Sequence, residues 1–402
     1  MEVATPLSER KAGTLQGVFL LLPVTMAVMG LIVLVPVLPQ MMQQFHEVPG
    51  AQYLIPLVLT LPALCLAVLA PVAGAIVDAI GRRRTLIGAL VIYAVAGVLP
   101  IFLSSLTAII ISRIVVGAME SAVVTASTTL IGDYFHGASR ERWLANQTAL
   151  ASISSIFLAL IGGALGNLGW RAPFAVYGVS LLYAVGLTLW TWEPRKAEQP
   201  SAELAGPAAR FPWRAMAPVA LLALFGGVMF FMMQIQVSNL LNDYYGISSP
   251  AKLGLFTGTA GLSVAAGTLV YRRLARSGIA TQLLVAFGLL GVSYVMMDHA
   301  PSAVSLTVWL VANQLGCGIL LPSLVVLVMA RLPFEVRGRG TGVFMTAWWL
   351  GQPLSTQLAA WVRQLMGGSL PAALQIFGVL CLLAAAASLA SRTVTRRSSA
   401  VV

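Results

Sequence analysis

The chain has few charged side chains, few cysteines and few histidines. Only 9% of its 402 residues are Asp, Glu, Lys or Arg, whereas 58% are hydrophobic. This balance excludes a soluble globular protein and predicts a chain that crosses a membrane several times. The three cysteines all lie in apolar runs, so they indicate neither a disulfide framework nor a metal cluster. The three histidines are isolated in loops. We therefore predict no cofactor and no metal.

Long apolar runs are what the sequence has in abundance. A helix needs about 20 apolar residues to cross a bilayer, and twelve runs meet this requirement. They cover residues 17–38, 52–75, 85–104, 106–132, 145–166, 172–192, 215–241, 251–271, 279–297, 303–330, 341–362 and 371–390. The first run is too long for the core of a signal peptide and no cleavage site follows it, so we expect a retained helix.

The Lys and Arg residues predict how these spans are oriented. With the N-terminus inside, 20 of the 24 Lys and Arg residues fall on the cytoplasmic side, and only Arg171, Lys252 and Arg363 fall outside. Cytoplasmic loops of membrane proteins carry such an excess, so both termini are predicted to be cytoplasmic. The net charge of +11 is therefore a consequence of topology. It predicts contact with the anionic headgroups of a lipid bilayer and no binding of nucleic acid.

A polar stretch divides the spans six and six. Residues 193–213 are rich in Pro and Ala, which is typical of a linker. The loops after the second and fourth spans resemble those after the eighth and tenth, which indicates an internal repeat. We predict an all-α integral membrane protein with twelve transmembrane helices in two pseudo-symmetric six-helix bundles. Its parts would be a cytoplasmic tail (1–16), a first bundle (17–192), a cytoplasmic linker (193–213), a second bundle (214–391) and a cytoplasmic tail (392–402).

The fourth span contains two charged residues, Arg113 and Glu120, inside an apolar run. A charge near the bilayer centre costs about 3 kcal/mol on insertion scales, so such residues usually face a cavity or a partner. Of the 13 acidic residues, Glu120 alone lies deep in a span. A spacing of seven residues places both side chains on one helix face, about 10 Å apart along the axis. They are the natural candidates for ion chemistry, unless they only tie this helix to its neighbours.

The loop after the second span reads GAIVDAIGRRR, from Gly74 to Arg84. It resembles the signature loop of the major facilitator superfamily, with Ile76 in place of Leu and Ala79 in place of the usual Arg. Together with the twelve spans, this loop makes the chain similar to that superfamily over essentially its whole length. The resemblance implies a transporter rather than an enzyme, working by alternating access as a functional monomer.

The resemblance also implies a gate at the cytoplasmic side. Asp78 would contact the start of the eleventh span near Gly340 and Thr341, and Arg82 would contact Asp133 at the end of the fourth. The predicted gate residues are Gly74, Asp78, Gly81, Arg82, Arg83 and Asp133.

The pattern Arg113-x-x-x-Gly117-x-x-Glu120 is similar to the fourth helix of Spinster-type exporters, and the chain as a whole resembles bacterial drug/proton antiporters. An apolar site favours the neutral form of a carboxyl group, whereas a nearby cation or a wet cavity favours its charged form. We therefore predict that Glu120 and Arg113 couple transport to protons, which would serve as the coupling ion. Glu120 would bind a proton from the exterior and release it towards the cytoplasm.

The family fold implies a substrate cavity between the bundles, lined by the first, fourth, seventh and tenth spans. Soft, aromatic and amide side chains in the seventh, tenth and eleventh spans suit an amphipathic organic solute better than a sugar. The cavity candidates are Met229, Phe230, Met233, Gln234, Gln236, Asn313, Gln314, Trp348, Trp349 and Gln352. Each of these side chains would also fit ordinary helix packing.

The leading hypothesis is proton-coupled export of amphipathic or hydrophobic small organic compounds, such as drugs, across a bacterial inner membrane. One alternative is a proton symporter for an anionic metabolite, in which Arg113 would bind the substrate's carboxylate. A siderophore exporter would use both charged residues. From other classes, an integral-membrane enzyme lacks a catalytic constellation in this sequence, and a sensor lacks a sizeable soluble domain.

Overall fold

The computed structural model of the chain describes residues 12–193, 212–331 and 337–399. These residues form twelve helical segments, in the places where the twelve apolar runs predict them. The segments are α1 (Thr14–Gln44), α2 (Ala51–Ile80), α3 (Arg82–Ile101), α4 (Leu106–Tyr134), α5 (Gly137–Gly166), α6 (Ala172–Trp190), α7 (Trp213–Tyr245), α8 (Pro250–Ser277), α9 (Ile279–Asp298), α10 (Ala303–Arg331), α11 (Arg337–Leu365) and α12 (Leu370–Ser399).

Segment α1 is broken into shorter pieces. Helices over Thr14–Leu21 and Val24–Ile32 are followed by a 3₁₀ turn over Val35–Val37 and a helix over Leu38–Gln44. Three prolines, Pro23, Pro36 and Pro39, fall at these breaks or just after them. Proline has no backbone N–H and cannot continue the ladder of helical hydrogen bonds, which explains the interruptions.

Eleven of the twelve described segments are long and apolar enough to cross a membrane, and α11 is the exception. With 29 residues it has the length of its neighbours, and it covers the predicted span 341–362. Three glutamines, Gln352, Gln357 and Gln364, lower its hydropathy. Because α11 packs against α7 and α2, part of its surface faces protein rather than lipid.

Each bundle has its own core. In the first bundle α4 packs on α2 and α3, and in the second α10 packs on α8 and α9. The bundles meet along two seams, α2 against α11 and α5 against α8. This is the two-fold arrangement expected of two pseudo-symmetric halves, because α8 and α11 are the counterparts of α2 and α5.

Buried tyrosines show the repeat at the level of single hydrogen bonds. Tyr93 of α3 donates its hydroxyl hydrogen to the carbonyl of Met26 in α1, at 3.0 Å. Tyr294 of α9 follows 201 residues later and donates to the carbonyl of Met229 in α7, at 2.7 Å. The same contact thus joins the third helix to the first in both halves.

The predicted linker, residues 193–213, lies outside the described residues except at its ends, and so does most of the predicted tail 1–16. At the other terminus α12 continues to Ser399, through most of the predicted tail 392–402. The apolar part of α12 ends at Ala390. Backbone hydrogen bonds do not require a membrane, so the helix extends past its apolar part.

The two halves meet at one side of the molecule through hydrogen bonds between α2 and α11. We call the helix ends near Tyr53 the outer ends and those near Arg82 the inner ends, following the predicted orientation. At the outer ends Tyr53 donates its hydroxyl hydrogen to Gln364 Oε1 at 2.7 Å, and Gln357 Nε2 donates to the carbonyl of Tyr53 at 3.1 Å. The inner end of α2, residues 74–80, is mostly exposed. The outer side of this structure is therefore closed.

Glycines close the second seam at the same side. A Cβ atom on Gly163 of α5 would lie only 2.6 Å from the carbonyl oxygen of Pro250, and one on Gly254 of α8 would lie 2.5 Å from that of Ala159. Contacts this short exclude a larger residue without a backbone shift. The two glycines therefore allow α5 and α8 to touch at their outer ends.

Candidate ion-coupling site

Glu120 lies in the middle of α4, with only 3% of its surface exposed. Its Oε2 atom is buried and has no hydrogen-bond partner among the described residues. Gly30 of α1 lies opposite, and a Cβ atom there would be 3.1 Å from Oε2. A residue larger than glycine at position 30 would therefore leave less space for the carboxyl group of Glu120.

A small cavity lies beside this carboxyl group. Its walls come from four helices: Ala27, Gly30 and Leu31 of α1, Leu59, Pro62 and Ala63 of α2, Glu120 of α4, and Gln352 of α11. Gln352 is the wall contributed by the second bundle, and it is itself buried. Glu120 therefore sits where the two halves meet, opposite an amide of the other half.

Arg113 is fully buried in the first bundle. Its Nη2 atom donates to the carbonyls of Ala96 and Gly97 in α3, both at 3.3 Å. Its guanidinium lies over the rings of Phe174 and Tyr177 in α6, 5.1 and 4.7 Å from their centroids. Cation–π contacts of this kind stabilise a desolvated cation. The side chain therefore joins α4 to α3 and α6 within one bundle.

Arg113 and Glu120 are not joined by an ion pair, although the sequence places them on one helix face. Tyr177 connects them indirectly, because its ring lies against the guanidinium and its hydroxyl donates to the carbonyl of Gly30 at 3.4 Å. Two nitrogens of Arg113, Nε and Nη1, are buried without a hydrogen-bond partner in the described part of the chain. The guanidinium of Arg113 therefore contacts carbonyls of α3 and rings of α6 rather than the carboxyl group of Glu120.

Gly117 sets the position of both charged residues. It lies between them on α4, and a Cβ atom there would be 2.6 Å from the Cα of Pro62 and 2.7 Å from the Cβ of Cys65. Only glycine allows α4 to approach α2 this closely. Gly318 of α10 packs in the same way on Gly267 of α8, 201 residues after Gly117.

The predicted aromatic cavity residues Phe230, Trp348 and Trp349 form one cluster together with Phe231, which was not among the predicted residues. Phe230 lies 5.2 Å and Phe231 6.2 Å from Trp348 between ring centroids, and Phe231 lies 5.6 Å from Trp349. This cluster joins α7 to α11 beside Gly227, which fits under the backbone of Trp348. In this structure the rings therefore contribute to the packing of α7 against α11.

Other predicted cavity residues are also placed inside the second bundle. Gln314 Nε2 donates to Asn313 Oδ1 at 3.0 Å, and Gln236 Oε1 accepts from Asn239 at 2.9 Å. Met229 and Met233 are buried, and Gln234 is half-buried. Gln352 is the candidate that the structure brings to Glu120. The role of the whole set in binding substrate stays a prediction.

At the inner ends, Arg82 forms an ion pair with Asp133 of α4, as the resemblance implies. Asp78 is exposed and forms no ion pair with a described residue. A Cβ atom placed on Gly74 would have no neighbouring described atom within 4 Å. The side chains of residues 331–339 lie outside the description, so the expected contact of Asp78 with α11 is not tested. The assignment of these residues to a gate stays a prediction.

Glu193 is a partner of this loop that the sequence did not reveal. Its carboxylate accepts hydrogen bonds from the backbone N–H groups of Arg82 and Arg83, the shortest at 2.6 Å. The guanidinium of Arg83 returns the contact by donating to the carbonyl of Thr188 at 2.8 Å. A carboxylate at a helix N-terminus is stabilised by free N–H groups. The end of α6 is thereby attached to the start of α3, where Gly81 has a φ of +110°.

Sequence reasoning also missed the groups that surround the charged pair, namely Gly30, Pro62, Tyr93, Phe174 and Tyr177. They belong to α1, α2, α3 and α6, and nothing in their local sequence indicates that they converge. For Tyr93 the sequence does contain a signal. A second tyrosine, Tyr294, lies 201 residues later at the matching position of the other half, which indicates a shared structural role.

Comparison with known proteins decides the family. The sequence model of the Major Facilitator Superfamily matches residues 20–356. The chain belongs to this superfamily. This membership confirms the resemblance carried by the loop from Gly74 to Arg84, and with it the twelve-helix, two-bundle fold of a multi-pass membrane protein. The family and the fold are those of a membrane transporter rather than an enzyme.

The relatives of this superfamily member include tetracycline resistance proteins. The class G protein of Vibrio anguillarum is 30% identical over 39% of this chain and 40% of its own length. The class E protein of Escherichia coli is 26% identical over 78% of this chain and 80% of its own. Among solved structures, a bacterial homologue of the human lysosomal transporter Spinster, inward-facing and occupied, has a TM-score of 0.76. It is 18% identical, covering 94% of this chain and 96% of that one. This last likeness shows the fold.

Proposed function

We propose that this chain exports amphipathic or hydrophobic organic compounds in exchange for protons, by alternating access. The observation that carries the proposal is the placement of Glu120. A carboxyl group is buried at the junction of the two halves, in a cavity lined by three helices of the first bundle and by Gln352 of the second. A proton bound there would be exposed to opposite sides of the membrane as the halves rock. Each proton moving inward yields about 2.3 kcal/mol per 100 mV, which can drive uphill export.

The relatives support organic drugs among the substrates. The class G, class C and class E relatives are named for resistance to tetracycline, an organic antibiotic. These names describe the relatives and not this chain, and the match spans only 40% of the class G protein. We extend the substrate class to this chain as a proposal, together with the bacterial inner membrane and two cytoplasmic termini.

The position of Arg113 supports export over the symport of an anionic metabolite. A substrate carboxylate would have to reach the guanidinium from the space between the bundles. The guanidinium is instead fully buried within the first bundle, on α3 carbonyls and α6 rings.

The test is a proton-flux assay in liposomes that enclose a pH-sensitive dye. An inward proton gradient is imposed, and cationic, neutral and anionic organic compounds are added in turn, tetracycline among them. We expect a compound-dependent loss of the gradient with the wild-type protein and none with Glu120→Gln, since an amide cannot exchange a proton. Glu47→Gln, the same change at an exposed loop residue, serves as the matched control and should behave as wild type. Equal proton flux in Glu120→Gln would contradict the proposal.

A further inference from the structure

The seam between α2 and α11 carries polar groups along its length. Tyr53 of α2 is bonded to Gln364 and Gln357 of α11 at the outer end. Further towards the middle, Gln352 of α11 faces Glu120 across the small cavity. Gln364 and Gln357 of α11 thus face α2, and Gln352 faces Glu120 of α4.

Gln352 is the polar side chain that shares the cavity with Glu120. The other walls are Ala27, Gly30, Leu31, Leu59, Pro62 and Ala63, which offer no polar side chain. The space is close to that of one water molecule. An amide can accept a hydrogen bond from a neutral carboxyl group, directly or through one water. An ionised carboxylate in the same space would need more water than the cavity holds.

We propose that Gln352 is the positioning residue through which the proton on Glu120 controls the α2–α11 seam. The amide accepts a hydrogen bond from the protonated carboxyl group and keeps the two halves together at this point. Loss of the proton draws water into the cavity and loosens the outer seam, which the molecule needs in order to open outward again. This inference rests on the proposed function, since it assigns a partner to the proton-binding residue.

The surroundings of Glu120 leave this task to Gln352. The titratable and charged groups that act on the carboxyl group are Cys65 of α2, Tyr93 of α3, Arg113 of α4 and Tyr177 of α6. All of them belong to the first bundle and move with Glu120. The second bundle faces the carboxyl group with Gln352, so that a change of charge reaches this bundle through the amide.

The experiment follows hydrogen exchange of the purified, substrate-free protein between pH 5 and 9. Protection factors, which correct for the intrinsic pH dependence of exchange, are measured for the outer parts of α2 and α11. In the wild type we expect protection to fall in one step as the pH rises. Glu120→Gln should stay protected throughout, because its amide cannot ionise. Gln352→Met, similar in shape but unable to accept that hydrogen bond, should lose the step.

Gln357→Met is the matched control on the same seam. It removes the hydrogen bond to Tyr53 and should lower protection at every pH, with the step retained at the same midpoint. A Gln352→Met protein that keeps the wild-type step would overturn the role of Gln352 and leave the proposed function standing. A step that persists in Glu120→Gln, or a wild type without a step, would overturn the proton-binding role of Glu120 and this inference with it.

Discussion

The two halves of the molecule share a scaffold and differ in charge. Each half contains a tyrosine whose hydroxyl donates to a carbonyl of the first helix of that half. Each half also contains a glycine that allows its fourth helix to pack closely on its second. At the same interval of 201 residues, however, Arg113 corresponds to Gln314 and Glu120 to Leu321. At these two paired positions the first half therefore holds ionisable residues, and the second half holds neutral ones.

This difference shows how one repeated bundle can serve two tasks. The scaffold contacts are matched because both bundles need the same helix packing. A buried charge is costly, so it is present only where chemistry requires it. Gln314 forms a neutral pair with Asn313 in the place where Arg113 contacts carbonyls and rings. The comparison can be broken or sharpened by substitutions at paired positions.

The largest effects are expected at the paired glycines. In Gly318→Ala the new methyl group would collide with the carbonyl of Val264, and in Gly117→Ala it would lie 2.6 Å from the Cα of Pro62. Both neighbours are backbone, so each variant should lose about 3 kcal/mol of stability, with Gly318→Ala the worse. Thermal unfolding in detergent would measure the loss.

Gly88→Ala and Gly288→Ala are the controls for this pair. Nothing lies within 4 Å of a Cβ atom at either position, and both glycines are inside helices. They should stabilise the protein by about 0.5–1 kcal/mol, because alanine restricts the unfolded chain. Equal unfolding temperatures for all four variants would show that close packing at Gly117 and Gly318 does not matter.

A medium effect is expected when the first half receives the residue of the second. Arg113→Gln removes two hydrogen bonds to α3 carbonyls and two cation–π contacts, which should cost about 2 kcal/mol. Gln314→Leu removes one hydrogen bond to Asn313 and should cost about 1 kcal/mol. Unfolding midpoints of the two variants test the order. A more stable Arg113→Gln protein would mean that burial of the charge outweighs its contacts.

The smallest effects, similar in size to that of Gln314→Leu, are expected at the paired tyrosines. Tyr93→Phe and Tyr294→Phe each lose one buried hydrogen bond to a backbone carbonyl, worth about 1 kcal/mol. Because the two sites lie in separate bundles, the double variant should lose the sum, within about 0.5 kcal/mol. Non-additive losses in an unfolding experiment would indicate that the bundles do not behave as independent repeats.

Much of the fold was predictable because it follows from local hydropathy. Each of the twelve apolar runs is a described helix, including the run at 341–362, although α11 is less apolar than the other segments. The candidate site was predictable only in its charges, since Arg113 and Glu120 stand out in an apolar run. Of the ten predicted cavity residues, Gln352 lines the cavity beside Glu120. The rest of the lining was not predictable, because the rotation of each helix about its axis decides which side chains meet, and composition does not reveal that rotation.

The sequence by itself determined the membrane class, the twelve helices, the division into halves and the two buried charges, because hydropathy and charge act residue by residue. Only the tertiary structure decided that Arg113 binds α3 and α6 rather than Glu120, that Gly30 and Gln352 enclose the carboxyl group, and that Glu193 binds the start of α3. Those contacts join residues far apart in the chain. Their geometry depends on helix rotation and on the close approach that glycines allow.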